Sequence, residues 1–247
     1  MNLARCRFGY LAVTPAVVVL AGGMATAMSP ATGHGRPRWD VAADFRTAPD
    51  QANPSPDRMG HQGVWSYLFS PSGKQNPAAY RLLRAFDADK FEVPGLESWW
   101  GRNASTSQDD LLPAVGINAT GHEVTRFHVH WPAGAVLVHP WSGQPVVIRW
   151  RSPVSGNVFV TGAVALAQHP NCGTGIAWAV DLGARTLRHG AITHRQRQGW
   201  SLRVHLKSGN SLYVVVAPRI GFGCDSTLVS LTITRGKQQA STSKQHI

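Results

Sequence analysis

The chain carries nine tryptophans among 247 residues, and four of them stand where an indole face could meet a ligand. Trp99 and Trp100 are adjacent, so on a strand they point to opposite faces and one of them points away from a core. Trp131 and Trp141 stand beside the Pro132–Gly134 and Pro140–Gly143 turns, where a ring can stay uncovered. An open indole is a flat apolar surface suited to the C–H face of a sugar, while Asn, Gln and His supply polar contacts to hydroxyls. Arg102 and Arg126 lie close by in sequence and would favour an acidic sugar. Trp99, Trp100, Trp131, Trp141, Arg102 and Arg126 are therefore the candidate ligand-binding residues, on a rim of loops. Coverage of the rings by those loops is the alternative.

Other reactive side chains form weaker patterns. His128 and His130 share a strand face as two zinc ligands can. Zinc takes three or four ligands with supporting hydrogen bonds, and neither His122 nor His139 completes a familiar spacing. A solvated polar face accounts for the pair, and His139, before a proline turn, reads as a structural hydrogen bond. Glycoside hydrolysis needs two carboxylates flanking one bond. Asp109 and Asp110 are neighbours in a polar stretch and diverge, while Asp87 and Asp89 sit in a turn. There is no G-x-S-x-G, no H-E-x-x-H and no Gly-rich phosphate loop. The expectation is a protein with no catalytic residues and no concave site holding two carboxylates or a Ser/Cys–His pair.

The elements that must hold these residues are short strands. Val146, Ile148 and Trp150 alternate with Val147, Arg149 and Arg151, the period of a strand with one buried face. Ser152 to Asn157 is turn chemistry and Val158–Thr161 runs back, which reads as one β-hairpin. Similar strands are expected at Trp39–Phe45, Gly63–Phe69, Tyr80–Phe86, Val124–Trp131 and Val136–His139, and in five segments between Gly175 and Thr234. A helical turn is the alternative for Tyr80–Phe86. Many short strands, regular turns and almost no helical period argue an all-β fold. The class expected is a two-sheet antiparallel β-sandwich, jelly-roll-like, over residues 39–235.

Arg5 and Arg7, the apolar run Leu11–Ala21 and Ala25-Thr26-Ala27 together read as a secretory signal over residues 1–27. The run is shorter than the roughly 20 residues a membrane span needs. Residues 28–38 and 236–247 read as a disordered leader and tail. No later stretch reads as a transmembrane segment, so a secreted or extracytoplasmic protein is expected. With Cys6 gone, Cys172 and Cys224 remain, an even pair in an oxidising compartment. In a meander or Greek key each precedes a strand that starts at the same pole, so they are expected to form a disulfide; two buried thiols are the alternative. The net charge of +11 becomes 22 basic against 13 acidic side chains without Arg5 and Arg7. That favours acidic partners such as an anionic polysaccharide or cell-envelope polymer. The Lys and Arg are scattered and no reading motif occurs, which argues against nucleic acid.

Several motifs occur in a set order: WDVAADF at Trp39–Phe45, Asn53-Pro54 followed by Gly63-Val64-Trp65-Ser66-Tyr67, then Leu137-Val138-His139-Pro140. Val147-Ile148-Arg149-Trp150 with Pro153 and Gly156 comes next, and Asp225-Ser226-Thr227 closes the set. In these the chain resembles a family of exported, mostly uncharacterised jelly-roll domains of environmental bacteria, often planctomycetes. That family looks similar to carbohydrate-binding modules of the galactose-binding jelly-roll type. Trp141 departs from it, since the family usually has glycine there, and the Cys172–Cys224 pair is not a family feature. The resemblance implies that the first and last strands pair, often with a structural calcium at the seam. Asp44 and Asp225 would be its ligands, calcium being a cation that collects oxygens. Capping of the Ser226 and Thr227 amides is the alternative for Asp225. No other cofactor is expected. The reading is an exported, non-catalytic module for a glycan or anionic envelope polymer. A structural or adhesive surface protein, or a secreted polysaccharide hydrolase or lyase, are the alternatives.

Overall fold

Along most strands Val, Ile, Leu and Trp recur at every second residue, and two sheets close over the faces they make. A computed structural model describes residues 36–45, 52–101, 111–168, 172–193 and 196–236. The expected signal, most of the leader and nearly all of the tail lie outside the described residues. The strands are β1 (Arg38–Asp40), β2 (Trp65–Phe69), β3 (Arg81–Leu82), β4 (Ala85–Asp87), β5 (Leu96–Trp100), β6 (Ala114–Asn118), β7 (Val124–Arg126) and β8 (Val129–Trp131). They continue as β9 (Val136–His139), β10 (Val146–Arg151), β11 (Gly156–Leu166), β12 (Ile176–Leu182), β13 (Arg185–Ile192), β14 (Arg197–Leu206), β15 (Ser211–Pro218) and β16 (Thr227–Arg235). One four-residue helix, α1 (Val41–Asp44), follows β1.

The larger sheet runs β14-β11-β16-β9-β6-β5-β4, and β1 joins β16 on the same edge as β9. The smaller runs β13-β12-β15-β10-β2-β3, and β7-β8 form a separate two-stranded ribbon. All pairings are antiparallel, so the fold is the two-sheet sandwich expected. Trp39, Trp65, Trp99, Trp150, Trp178 and Trp200 share the core between the sheets. Trp39 meets Trp150 at a centroid distance of 5.2 Å, and Trp178 stacks on Trp200 at 4.9 Å.

Three local expectations are corrected. The segment Pro145–Thr161 is not a hairpin: β10 pairs with β2 and β15, β11 with β14 and β16, so the chain arches from one sheet to the other. An alternating strand has the same sequence in an arch as in a hairpin, because both turn one face to the core. Trp39–Phe45 is only briefly a strand; Asp40 accepts from the Ala42 and Ala43 amides at 3.2 Å and caps α1. Val124–Trp131 is two strands, reversed at Phe127 and His128, which have φ of 49° and 63°. A two-residue reversal of this kind requires positive φ at both centres. Tyr80–Phe86 is strand, divided between the two sheets.

The expected disulfide is present, with Cα atoms of Cys172 and Cys224 5.6 Å apart. It ties the approach to β12 in one sheet to the approach to β16 in the other. Closing a loop of this length is worth on the order of 4 kcal/mol in the chain-entropy account. Among the described residues no helix is long and apolar enough to cross a membrane.

Candidate functional site

The outer face of the larger sheet has two halves. On the β4-β5-β6-β9 half the β7-β8 ribbon lies over the strands and roofs a second, smaller core of Leu96, Val124, Val129, Trp131, Leu137 and Ala167. Asn118 in β6 fastens the ribbon, its Nδ2 donating to Trp131 O at 2.7 Å and His122 O at 2.8 Å. The His130 amide donates to Ala167 O at 2.8 Å. Trp131 Nε1 donates to Ala135 O at 2.8 Å, and its ring reaches down to Gly116. A Cβ on Gly116 would fall 2.9 Å from the Trp131 ring and 2.5 Å from Glu97 O. Gly116→Ala is therefore expected to lift the ribbon and cost roughly 1–3 kcal/mol, read as a lowered urea midpoint with unchanged slope. An unchanged midpoint would show that the ring has room to move.

Beneath the ribbon is a cavity of about 190 Å³. Ser98 from β5, His139 from β9, Gln168, Ser226 and Lys90 supply its polar lining. Lys90 comes from a 3-10 turn, Lys90–Glu92, and is 4% exposed. Its Nζ donates to Leu111 O at 3.4 Å and lies 5.2 Å from the Phe91 ring centroid. Burial lowers its pKa to about 8, against the opposing pull of Asp87. It is still mainly an ammonium at neutral pH, held in an apolar wall with one long carbonyl contact among the described residues. His139 Nδ1 is 2.7 Å from Pro140 O, the structural hydrogen bond anticipated for it. Nδ1 facing a carbonyl must carry the proton, and burial lowers the pKa to about 4, so the ring is neutral and Nε2 is an acceptor. Ser98 is buried and its Oγ has no partner among the described residues.

Phe91 and Phe127 form the mouth, edge to face at 5.3 Å. Beyond them a groove of about 400 Å³ is lined by Asp87, Asp89, Glu92 and Arg126. Of the five non-glycine residues with positive φ among those described, four are Phe91, Glu92, Phe127 and His128. Each such conformation costs on the order of 1 kcal/mol, and strain of this kind gathers at functional sites.

The groove corrects the expectation that no concave site holds two carboxylates. Burial raises the Asp87 pKa; the Asp89 amide, donating to Oδ1 at 3.1 Å, opposes this, and the Asp89 carboxyl adds to the rise. The two carboxyls lie against each other. Glycosidases hold theirs about 5–9.5 Å apart, astride the bond to be cut.

The four tryptophans of the expected platform are dispersed. Trp99 is in the core between the sheets, at 6% exposure, and Trp131 is at 1% in the core under the ribbon. Trp100 is half-buried beside them on β5. Half-buried Trp141 packs on Phe222, with centroids 4.3 Å apart, in a turn between β9 and β10. Arg126 is exposed and lines the groove, and Arg102 lies outside the described residues. The open aromatic is instead Phe127, 57% exposed. Its strand period predicts an inward ring, and the positive-φ reversal turns it outward. His is among the residues enriched at positive φ, but Phe is not, and no Gly, Asn or Asp marks the pair as a reversal.

Asp44 and Asp225 are not brought together. The seam itself is as expected, β1 pairing β16 through Asp40 and Thr232. Asp44 is anchored there: its Oδ2 accepts from the Asp40 amide at 3.0 Å and Trp65 Nε1 at 3.1 Å, its Oδ1 from the Arg58 amide at 3.2 Å. The Arg58 guanidinium is 3.7 Å away. Asp225 lies just before Thr227, whose Oγ1 donates to Asp225 O. Thr227 and Thr232 are five residues apart on one strand, about 17 Å. Calcium draws its oxygens to within about 2.6 Å, so one ion does not reach both. The Asp225 carboxylate is fully buried with both oxygens unpartnered among the described residues, and burial raises its pKa to about 7. The Ser226 amide, the alternative partner for that carboxylate, donates instead to Gln168 Oε1 at 3.1 Å.

No family model matches the sequence. No curated protein matches it either. Among solved structures, part of the chain is similar to the C-terminal family 6 carbohydrate-binding module of the laminarinase LamC from Zobellia galactanivorans. Identity is 16%, over 46% of this chain and 87% of that one, with a TM-score of 0.27. A family 51 module from Clostridium perfringens, in complex with methyl-galactose, matches at 16% identity over 46% and 80% of the two chains, TM-score 0.31. A family 36 module of a xylanase from the hindgut metagenome of Trinervitermes trinervoides matches at 12%, over 51% and 98%, TM-score 0.30. At this level they bear on neither ligand nor site, which rest on the geometry above.

Proposed function

We propose that the protein is an exported, non-catalytic glycan-binding module, and that one sugar residue sits beneath the β7-β8 ribbon with the chain leaving along the adjoining groove. The observation that carries this reading is the buried Lys90 ammonium in the wall of a cavity whose mouth is aromatic. A sugar combines an apolar C–H face with hydroxyls that both donate and accept. Phe127 and Phe91 suit the face, Lys90 donates to a ring or hydroxyl oxygen, and His139 Nε2 and Ser98 Oγ accept. In the groove Asp87, Asp89 and Glu92 accept from hydroxyls of the next residue, beside the Arg126 donor. The disulfide fits an oxidising compartment.

A screen of immobilised glycans, followed by calorimetry on the best, tests the reading. Lys90→Met and Phe127→Ala are each expected to weaken binding about tenfold, and the exposure of Phe127 makes its loss harmless to folding. If no glycan binds, or both variants bind as the parent does, the site is not a glycan site. The reading of a structural or adhesive surface protein then takes its place.

A further inference from the structure

Among the described residues, the other half of the larger sheet's outer face, β14-β11-β16-β1, has no ribbon over it. Its outward residues are set by register. Arg203 of β14 pairs with Phe159 of β11, Phe159 with Thr234 of β16, and Thr234 with Arg38 of β1. An aromatic ring thus lies in a cross-strand row that ends in a guanidinium on either side. Phe159 is 41% exposed and the Arg203 Cζ is 6.0 Å from its centroid. The two arginines are three strands apart, about 14 Å, and Arg197, six residues along β14 on the same face, extends the cationic edge by about 20 Å. The next row inward is hydroxyls: Ser201, Thr161 and Thr232. Beyond it the floor is Gly199, Ala163 and Ser230, small enough for a chain to lie flat. The acid on this face, Asp40, is already engaged by Thr232 Oγ1 at 2.9 Å, by Arg38 at 3.1 Å and by the α1 amides.

We infer that this uncovered half-sheet is a second binding surface, a track for an extended anionic polysaccharide. Arg38, Arg197 and Arg203 meet its carboxylates or sulfates, Phe159 stacks under a sugar ring, and the hydroxyl row meets its hydroxyls. Charge complementarity points to a polyanion. A flat floor with hydroxyls and one aromatic ring points to a sugar polymer, since among the described residues of this face there is no cluster of apolar side chains to enter a lipid surface. The track is separate from the ribbon cavity and stands or falls without it.

Equilibrium binding of the full chain to polygalacturonate at about 0.15 M salt, where exposed charges beyond roughly 8 Å are screened, tests the inference. Arg203→Glu and Phe159→Ala are each expected to lower affinity roughly fivefold. Arg188→Glu on β13, an exposed site on the other sheet, makes the same change in net charge and should have no such effect. Loss of polygalacturonate binding in Lys90→Met or Phe127→Ala with none in Arg203→Glu would place the polymer in the ribbon cavity instead and overturn the track. No binding, equal loss in Arg188→Glu, or unaltered binding in Arg203→Glu and Phe159→Ala would each overturn the track. So would Arg203-dependent binding to anionic phospholipid vesicles or an oligonucleotide in place of polygalacturonate.

Discussion

Asp225→Asn is expected to raise the melting temperature by about 10 °C at pH 8 and to leave it unchanged at pH 3.5. The carboxyl is buried with no donor to either oxygen among the described residues, and burial moves its pKa from 3.8 to about 7. Between those two values the folded protein holds a proton that the unfolded chain has released. Stability therefore falls as pH rises through that window, and above pH 7 the full cost of the buried anion is present, about 4 kcal/mol. An amide of the same shape is neutral throughout. For a domain of this size each kcal/mol moves the transition by about 2–4 °C. His139 works in the opposite sense: its pKa of about 4 lies below the ordinary 6.5, so stability is lost as pH falls from 6.5 towards 4. It is common to both proteins and cancels in their difference. An Asn variant that melts below the parent at pH 8 would mean that Asp225 has a donor or cation of its own.

Lys90→Met should also stabilise, by about 3 kcal/mol at pH 7, while weakening glycan binding. The pKa of the buried ammonium falls from 10.5 to about 8, so below pH 8 the folded state carries a poorly solvated charge that the unfolded chain keeps in water. In the parent this cost is relieved between pH 8 and 10.5, where the folded lysine is neutral and the unfolded one is still protonated. The parent therefore gains stability as pH rises through that window, and the gap between variant and parent closes there. Urea melts at pH 7 and 10.5, with calorimetry on the same samples, separate the two effects. A stabilised variant that binds its glycan unchanged would show that the lysine is buried for another reason. Loss of stability at pH 7 would show that its charge is better solvated than the 3.4 Å carbonyl contact implies.

Period and turn chemistry by themselves determined the class of this protein. Alternation placed Val146, Ile148 and Trp150 on a buried face, and the spacing of Cys172 and Cys224 from their strands foretold the bridge. Both follow from local rules: a half-buried strand has to alternate, and antiparallel strands return to the same pole. What the sequence left open is which strands are neighbours. β10 and β11 look like a hairpin and are an arch, because alternation records that a face is buried and not against which sheet. The site depends on that missing information three times over. Trp131 reads as a rim residue and lies under a ribbon, because Gly116, far from it in order, leaves the hollow it fills. Phe127 reads as an inward residue and stands at the mouth, because its backbone adopts a positive φ that Phe rarely takes. Lys90 carries no mark in the sequence, and only the closing of the cavity around it makes its charge costly. Burial of a charge, and the row of Arg203, Phe159 and Arg38 drawn from three distant strands, are properties of register and enclosure, which long-range contacts alone decide.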